Sequence, residues 1–159
     1  MSTSYQEINL SYLESIADGD QEIIKELITI FLEQVPEFTE GLANNFSAKN
    51  WKGIAALAHK AKSSVISMGM NYLGNNDLKN LELVAKSLRV RELQALALIS
   101  DRETEEMNHL IKGLESYPKQ RQVWVKENTS EKTVVLIIEK FNQACQTACN
   151  ELKTVLERI

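Results

Sequence analysis

One stretch of the chain, "AHKAKSSVISMG" from Ala58 to Gly69, holds one of the two histidines in 159 residues and a lysine three positions after it. Residues three apart on a helix share a surface, so Lys62 would set an ammonium beside any group carried on the His59 ring. A neutral imidazole is a competent nucleophile near neutral pH, and on phosphorus it forms a high-energy N–P bond that can be passed on. Lys62 would then offset phosphoryl charge. The same spacing also suits an ordinary histidine on a solvated face, and the pattern alone does not separate the two readings. Ala55, Ala56, Lys62, Ser63 and Ile66 share the outward face of His59, and the small residues among them leave the ring approachable.

Other chemistry is hard to assemble. His109 has no obvious partner and reads as an exposed surface residue. Cys145 and Cys149, the only cysteines, would share one side of a helix and lack nearby His or Cys partners, so they read as packed free thiols rather than metal ligands. The closest glycines, Gly69 and Gly74, are five apart, which gives no Gly-rich phosphate loop, and no set of carboxylates for Mg²⁺ is evident. A net charge of −4 with interspersed lysines and acids speaks against a nucleic-acid footprint. No apolar run is long enough to span a bilayer, and the N-terminus lacks the layout of a secretory signal, so a mature cytoplasmic chain is expected.

The elements that must position His59 read as helices. With 43% hydrophobic residues, six glycines and two prolines, the chain fits an all-α class. "YQEINLSYLESI" reads as a short N-terminal helix or an extended lead-in ending at "ADGD". Asp18 or Asp20 then caps a long helix whose stripe runs Ile24, Leu27, Ile28, Phe31, Val35, Phe38, Leu42, with Pro36 expected to bend or divide it. Ile23 and Ile30 lie off that stripe, facing either a second neighbour or a partner. A third helix from Asn50 to about Met68 points Trp51, Ile54, Leu57, Ala58, Ala61, Val65 and Met68 inward. A fourth follows Gly69 through Leu78, Leu81, Val84, Ala85 and Leu88. The last opens at Thr129 or Ser130 and carries Val134, Ile138, Phe141, Cys145, Ala148, Leu152, Val155 and Ile159 in steps of four and three, which overrides the strand preference of "VVLII". Residues 89–128 read as an insertion: "RELQALALIS" and "ETEEMNHLIKGLESY" look helical and "PKQRQVWVKENT" does not.

The stretch "LAHKAKSSVISMGM" resembles the signature of histidine-containing phosphotransfer (HPt) domains, roughly A-H-x-x-K-G-S-x-x-x-x-x-G, with Ala58, His59, Lys62, Ser64 and Gly69 on its positions. "ADGDQEIIKELITIFLEQVPEF" is similar to the acidic turn, helix, Phe-Leu and Pro-Glu run of that family, and "NLE" at 80–82 resembles the Leu-Glu of its next helix. Two departures stand out. Ser63 occupies the place of the glycine after the lysine, where it could narrow access to the ring. The spacing from His59 to Leu81 and Glu82 is one residue longer than the family's, which leaves Glu82 without an assigned role.

The resemblance implies one domain over 1–159, an up-down four-helix bundle with core segments 8–88 and 129–159 and the insertion at 89–128. It implies a phosphocarrier and not an enzyme in its own right: His59 accepts and donates the phosphoryl group, Lys62 and Ser63 steady it, and Gly69 permits a close approach. The chain would need no cofactor. Its partners would be a hybrid or sensor histidine kinase and response-regulator receiver domains, which bring the aspartate and Mg²⁺; docking would use apolar residues near His59, with Phe31 and Ile66 as candidates. Neither nucleic acid nor membrane is expected as a partner, and a monomer is the default. The second reading is a helical adaptor that keeps the bundle without being phosphorylated.

Overall fold

A computed structural model describes residues 4–159, and all regular structure among them is helical. Seven α-helices follow one another: α1 (Ser11–Ala17), α2 (Gln21–Ser47), α3 (Trp51–Ser67), α4 (Lys79–Gln94), α5 (Asp101–Glu115), α6 (Lys119–Asn128) and α7 (Glu131–Arg158). The expected all-α class is therefore observed. None of the described helices is long and apolar enough to cross a membrane.

Local sequence explains most boundaries. Asp18 and Gly19 take positive φ in the tight turn after α1, and the Asp20 carboxylate then accepts the Glu22 N–H at 3.0 Å to start α2. Asn50 accepts the Gly53 N–H at the head of α3, and Ser130 accepts the Thr133 N–H at the head of α7. α2 runs through Pro36 undivided. Pro36 is exposed, so the N–H that proline lacks leaves its acceptor on the watered side of the helix.

α2 packs on α3, α3 on α4, and α7 on both α2 and α4. Their buried stripes share one core that includes Ile28, Phe31, Phe38, Ile54, Ala61, Leu81, Phe141 and Leu152. The α7 stripe is buried from Val134 to Val155; the final Ile159 is exposed.

The insertion is more ordered than its sequence suggests. "PKQRQVWVKENT", read above as non-helical, forms α6, because Pro118 is set at the N-cap, with a fixed φ of −54°, and Val125 is buried. α5 begins at a capping box in which Ser100 and Glu103 each accept the other's backbone N–H. It buries no residue completely; α5 and α6 lie against α4, where Leu83, Val90 and Leu93 are buried on the face away from the main core.

Between α3 and α4 the chain makes one departure from α geometry. A helix runs from residue 71 to 94, but Leu73–Leu78 is a π-helical turn, which holds one residue more than an α turn would.

Candidate functional site

His59 stands midway along α3 with 71% of its side chain exposed, which is the display that a reactive imidazole requires. Its inner ring nitrogen is not free. Nδ1 lies 3.3 Å from Oε1 of Glu82 on α4, a carboxylate with only 4% of its side chain exposed. With the proton on Nδ1 donated to Glu82, the Nε2 lone pair is left for chemistry.

Glu82 is itself held. Lys86 donates to Oε2 at 2.7 Å from one turn further along α4, and the Lys79 ammonium lies 3.5 Å from Oε1. Burial alone pushes the Glu82 carboxyl up, but the Lys86 hydrogen bond and charge, the Lys79 charge and the His59 hydrogen bond outweigh it and hold the group below its ordinary value of 4.5. A buried carboxylate that stays ionised fixes the ring and stabilises any positive charge that develops on it.

The sequence reading left Glu82 unassigned because it lies one residue too far along the chain. In the structure the π turn at Leu73–Leu78, which holds one residue more than an α turn, lies between His59 and Glu82 along the chain, and Glu82 reaches His59 from the α4 that follows it. Gly74, inside that turn, lets it press on α3. A Cβ built there would lie 2.6 Å from Ile66 Cγ1 and 3.0 Å from the Lys62 carbonyl oxygen. The turn therefore packs directly under the segment that carries Lys62.

The other expected residues fall out unequally. Lys62 is half-buried and makes no ion pair among the described residues, so its ammonium is available to a group on the ring. Ser63 is exposed, and its hydroxyl turns back to the Lys60 carbonyl at 3.3 Å. Ser64 instead donates to Oε1 of Gln34 on α2 at 3.1 Å, a tie that no spacing in the sequence signals. Gly69 has φ +85°, and a Cβ there would sit 2.3 Å from the Asn9 carbonyl oxygen, so it permits a close approach of backbone to the N-terminal segment rather than to the ring.

Two expected surface residues are corrected. Phe31, named above for docking, is 2% exposed and belongs to the core, because its position on the α2 stripe turns it inward. The large apolar side chains of that helix that stay exposed are the off-stripe Ile23 and Ile30. Ile66 is only half-buried, with part of its side chain lying against Gly74. Ala55, placed on the outward face, is buried too.

Hollows lie on two flanks of α3, and His59 lines the one on the α5 side. On the α2 flank, a shallow one of about 230 Å³ is lined by Ile16, Leu27, Ile30, Gln34, Ser63 and Ser64 among others. On the α5 flank, a cleft of about 510 Å³ has Ala55, Ala56 and His59 on one side and His109 and Leu110 on the other. His109 is exposed as expected, yet the insertion brings it to the same cleft as His59. α5 is held there by Arg89, which donates to both oxygens of Glu106 at 2.7 and 3.0 Å; that pairing raises the Arg89 pKa and lowers that of Glu106. No family model matches the chain, and no curated protein or solved structure does either.

Proposed function

We propose that the protein is a histidine phosphocarrier of the HPt type, with α2, α3, α4 and α7 as its four-helix bundle and α5–α6 as an addition to it. The observation that carries this reading is the exposed imidazole whose Nδ1 faces a buried, cation-held carboxylate, which leaves Nε2 directed to the outside.

In the proposed reaction the Nε2 lone pair attacks the phosphorus of an aspartyl phosphate on a docked receiver domain. The N–P bond forms as the acyl O–P bond breaks, and the receiver's aspartate leaves as a carboxylate. No proton has to move, because Nδ1 keeps its hydrogen and the ring becomes an imidazolium paired with Glu82. Lys62 offsets charge on the phosphoryl oxygens, and Ser63 adds its hydroxyl only by giving up the bond to the Lys60 carbonyl. Reversal onto a second receiver completes the relay. Mg²⁺ and the aspartate belong to the receiver. Docking falls to the exposed Ile16, Ile23 and Ile30 on the α1–α2 flank, together with the outer part of Ile66.

The test is intact mass after incubation with phosphoramidate, a small donor that needs no partner, beside His59→Gln. One acid-labile phosphoryl group on the wild type and none on a folded His59→Gln supports the carrier. No gain on either chain, while a known HPt control is phosphorylated, removes the carrier and leaves the non-phosphorylated adaptor.

A further inference from the structure

Away from His59, α4, α5 and α6 enclose a hollow of about 420 Å³. Its lining is apolar, with Leu83, Val90 and Val125 buried, Leu114 half-buried and Val123 at 46% exposure. Four cations stand around it, Arg91, Lys119, Arg121 and Lys126, against one acid, Glu115. This is unexpected in a chain of net charge −4. Elsewhere many cations are matched: Lys49 to Glu131, Lys60 to Glu37, Lys79 and Lys86 to Glu82, Arg89 to Glu92 and Glu106, and Lys140 to Asp77. Here Arg91 gives one N–H to the Thr129 carbonyl, and Lys119, Arg121 and Lys126 have no ion pair among the described residues. Arg121 is half-buried as well, so part of its hydration is lost with no carboxylate in return.

We infer that this hollow binds a small amphipathic anion, a carboxylate or sulfonate with a hydrocarbon or aromatic body. The body would displace water from the Leu114 and Val123 surface above a floor of Leu83, Val90 and Val125, and the anionic head would lie on the Arg121 and Lys119 side, where the planar guanidinium can give two parallel N–H bonds. The volume falls in the range of small-molecule sites, roughly 300–1,000 Å³. α6, with 10 residues, supplies only about 15 Å of wall, which is a cup and not the long groove that an amphipathic helix lies in. The exposed part of the rim is screened by salt, so binding weakens as ionic strength rises. Nothing in this inference depends on the chemistry of His59.

Anilinonaphthalene sulfonate fluorescence on the full chain tests it, with dodecanoate and dodecanol as competitors at low salt. The expected result is saturable binding of one probe per chain, displaced by dodecanoate at least tenfold more strongly than by dodecanol, a difference of about 1.4 kcal/mol. Arg121→Glu should weaken dodecanoate by a further factor of about ten, and Leu114→Trp, which fills the cup, should abolish its binding. Lys119→Glu, on the exposed rim, reads the same charge dependence should Arg121→Glu not fold. Equal displacement by dodecanoate and dodecanol overturns the inference, as does binding that survives the folded charge and filling variants. So does an acidic amphipathic peptide that binds where dodecanoate does not, or a self-associated chain that dodecanoate fails to disperse in light scattering.

Discussion

In the proposed carrier the contact of Glu82 with Nδ1 of His59 leaves Nε2 for the chemistry, so the sharpest consequences fall on that carboxylate. Glu82→Gln keeps the shape but removes the charge that would stabilise an imidazolium, and it leaves the ammonium groups of Lys79 and Lys86 without their common partner. Phosphorylation by phosphoramidate should slow by about tenfold, equivalent to about 1.4 kcal/mol of lost transition-state stabilisation. Stability should fall by roughly 1–3 kcal/mol. The acid limb carries a separate signature. A carboxyl held below its ordinary value of 4.5 contributes stability that is complete above that pH and is lost as the pH falls below it, through the folded-state value. Urea unfolding at a series of pH values should therefore show the wild type losing its advantage over Glu82→Gln below about pH 4.5; parallel curves would remove Glu82 from the linkage. Lys62→Ala should slow phosphoramidate acceptance by roughly three- to tenfold without ending it, the size expected of a partly screened charge contact. An unchanged rate would take Lys62 out of the mechanism. The two cysteines should stay silent in both experiments. Burial pushes the Cys145 thiol up to about 12, and the Cys149 thiol is raised as well, so a thiol-specific reagent should label them rapidly only after unfolding.

At the scale of the element, the π turn and the helix it presses on form the device that aligns the site. Gly74→Ala separates two opposing effects. In an α-helix interior alanine gains up to about 1 kcal/mol over glycine. Here the new methyl meets Ile66 and, at 3.0 Å, the backbone carbonyl of Lys62, which cannot rotate away. The clash should win, with a net loss of about 1–3 kcal/mol in chemical denaturation. Neutral or higher stability would mean that α3 and the turn are looser than they stand here. α5 is the opposite kind of element. It buries no residue completely and is tied to α4 by the Arg89 pair with Glu106. Arg89→Ala should raise amide exchange in α5 well above that of α2, α3 and α7 while the far-UV spectrum stays helical. Exchange rising uniformly would instead make α5 part of one cooperative unit with the core.

Across the whole molecule, α4 is the hinge between two layers. One face meets α3 and α7 through Leu81, Val84 and Ala85, and the other carries Leu83, Val90 and Leu93 under α5 and α6. This double burial could have been noticed in the sequence. Leu83, Val90 and Leu93 lie off the inward stripe read for that helix, as Ile23 and Ile30 lie off the stripe of α2. Identical signals led to opposite outcomes, because the off-stripe residues of α4 are covered by the insertion and those of α2 are left exposed. Periodicity states that a face is apolar; what covers it depends on where the rest of the chain packs.

Helix periodicity and caps were legible in the sequence because they are governed by neighbours within a few residues: the α7 stripe from Val134 to Val155, the Asp20 and Ser130 caps, each one of two candidates, and His59 with Lys62 on one helix. The inward turn of Phe31 was legible by the same rule, since it lies on the α2 stripe. The tertiary structure decided what no local window contains. Glu82 reaches His59 from 23 positions away through a turn that holds one residue more than an α turn, and His109 comes to the His59 cleft on α5, which Arg89 of α4 holds through Glu106. Spacing along a chain fixes which residues share a helix face; which two faces meet is set by how separate helices pack.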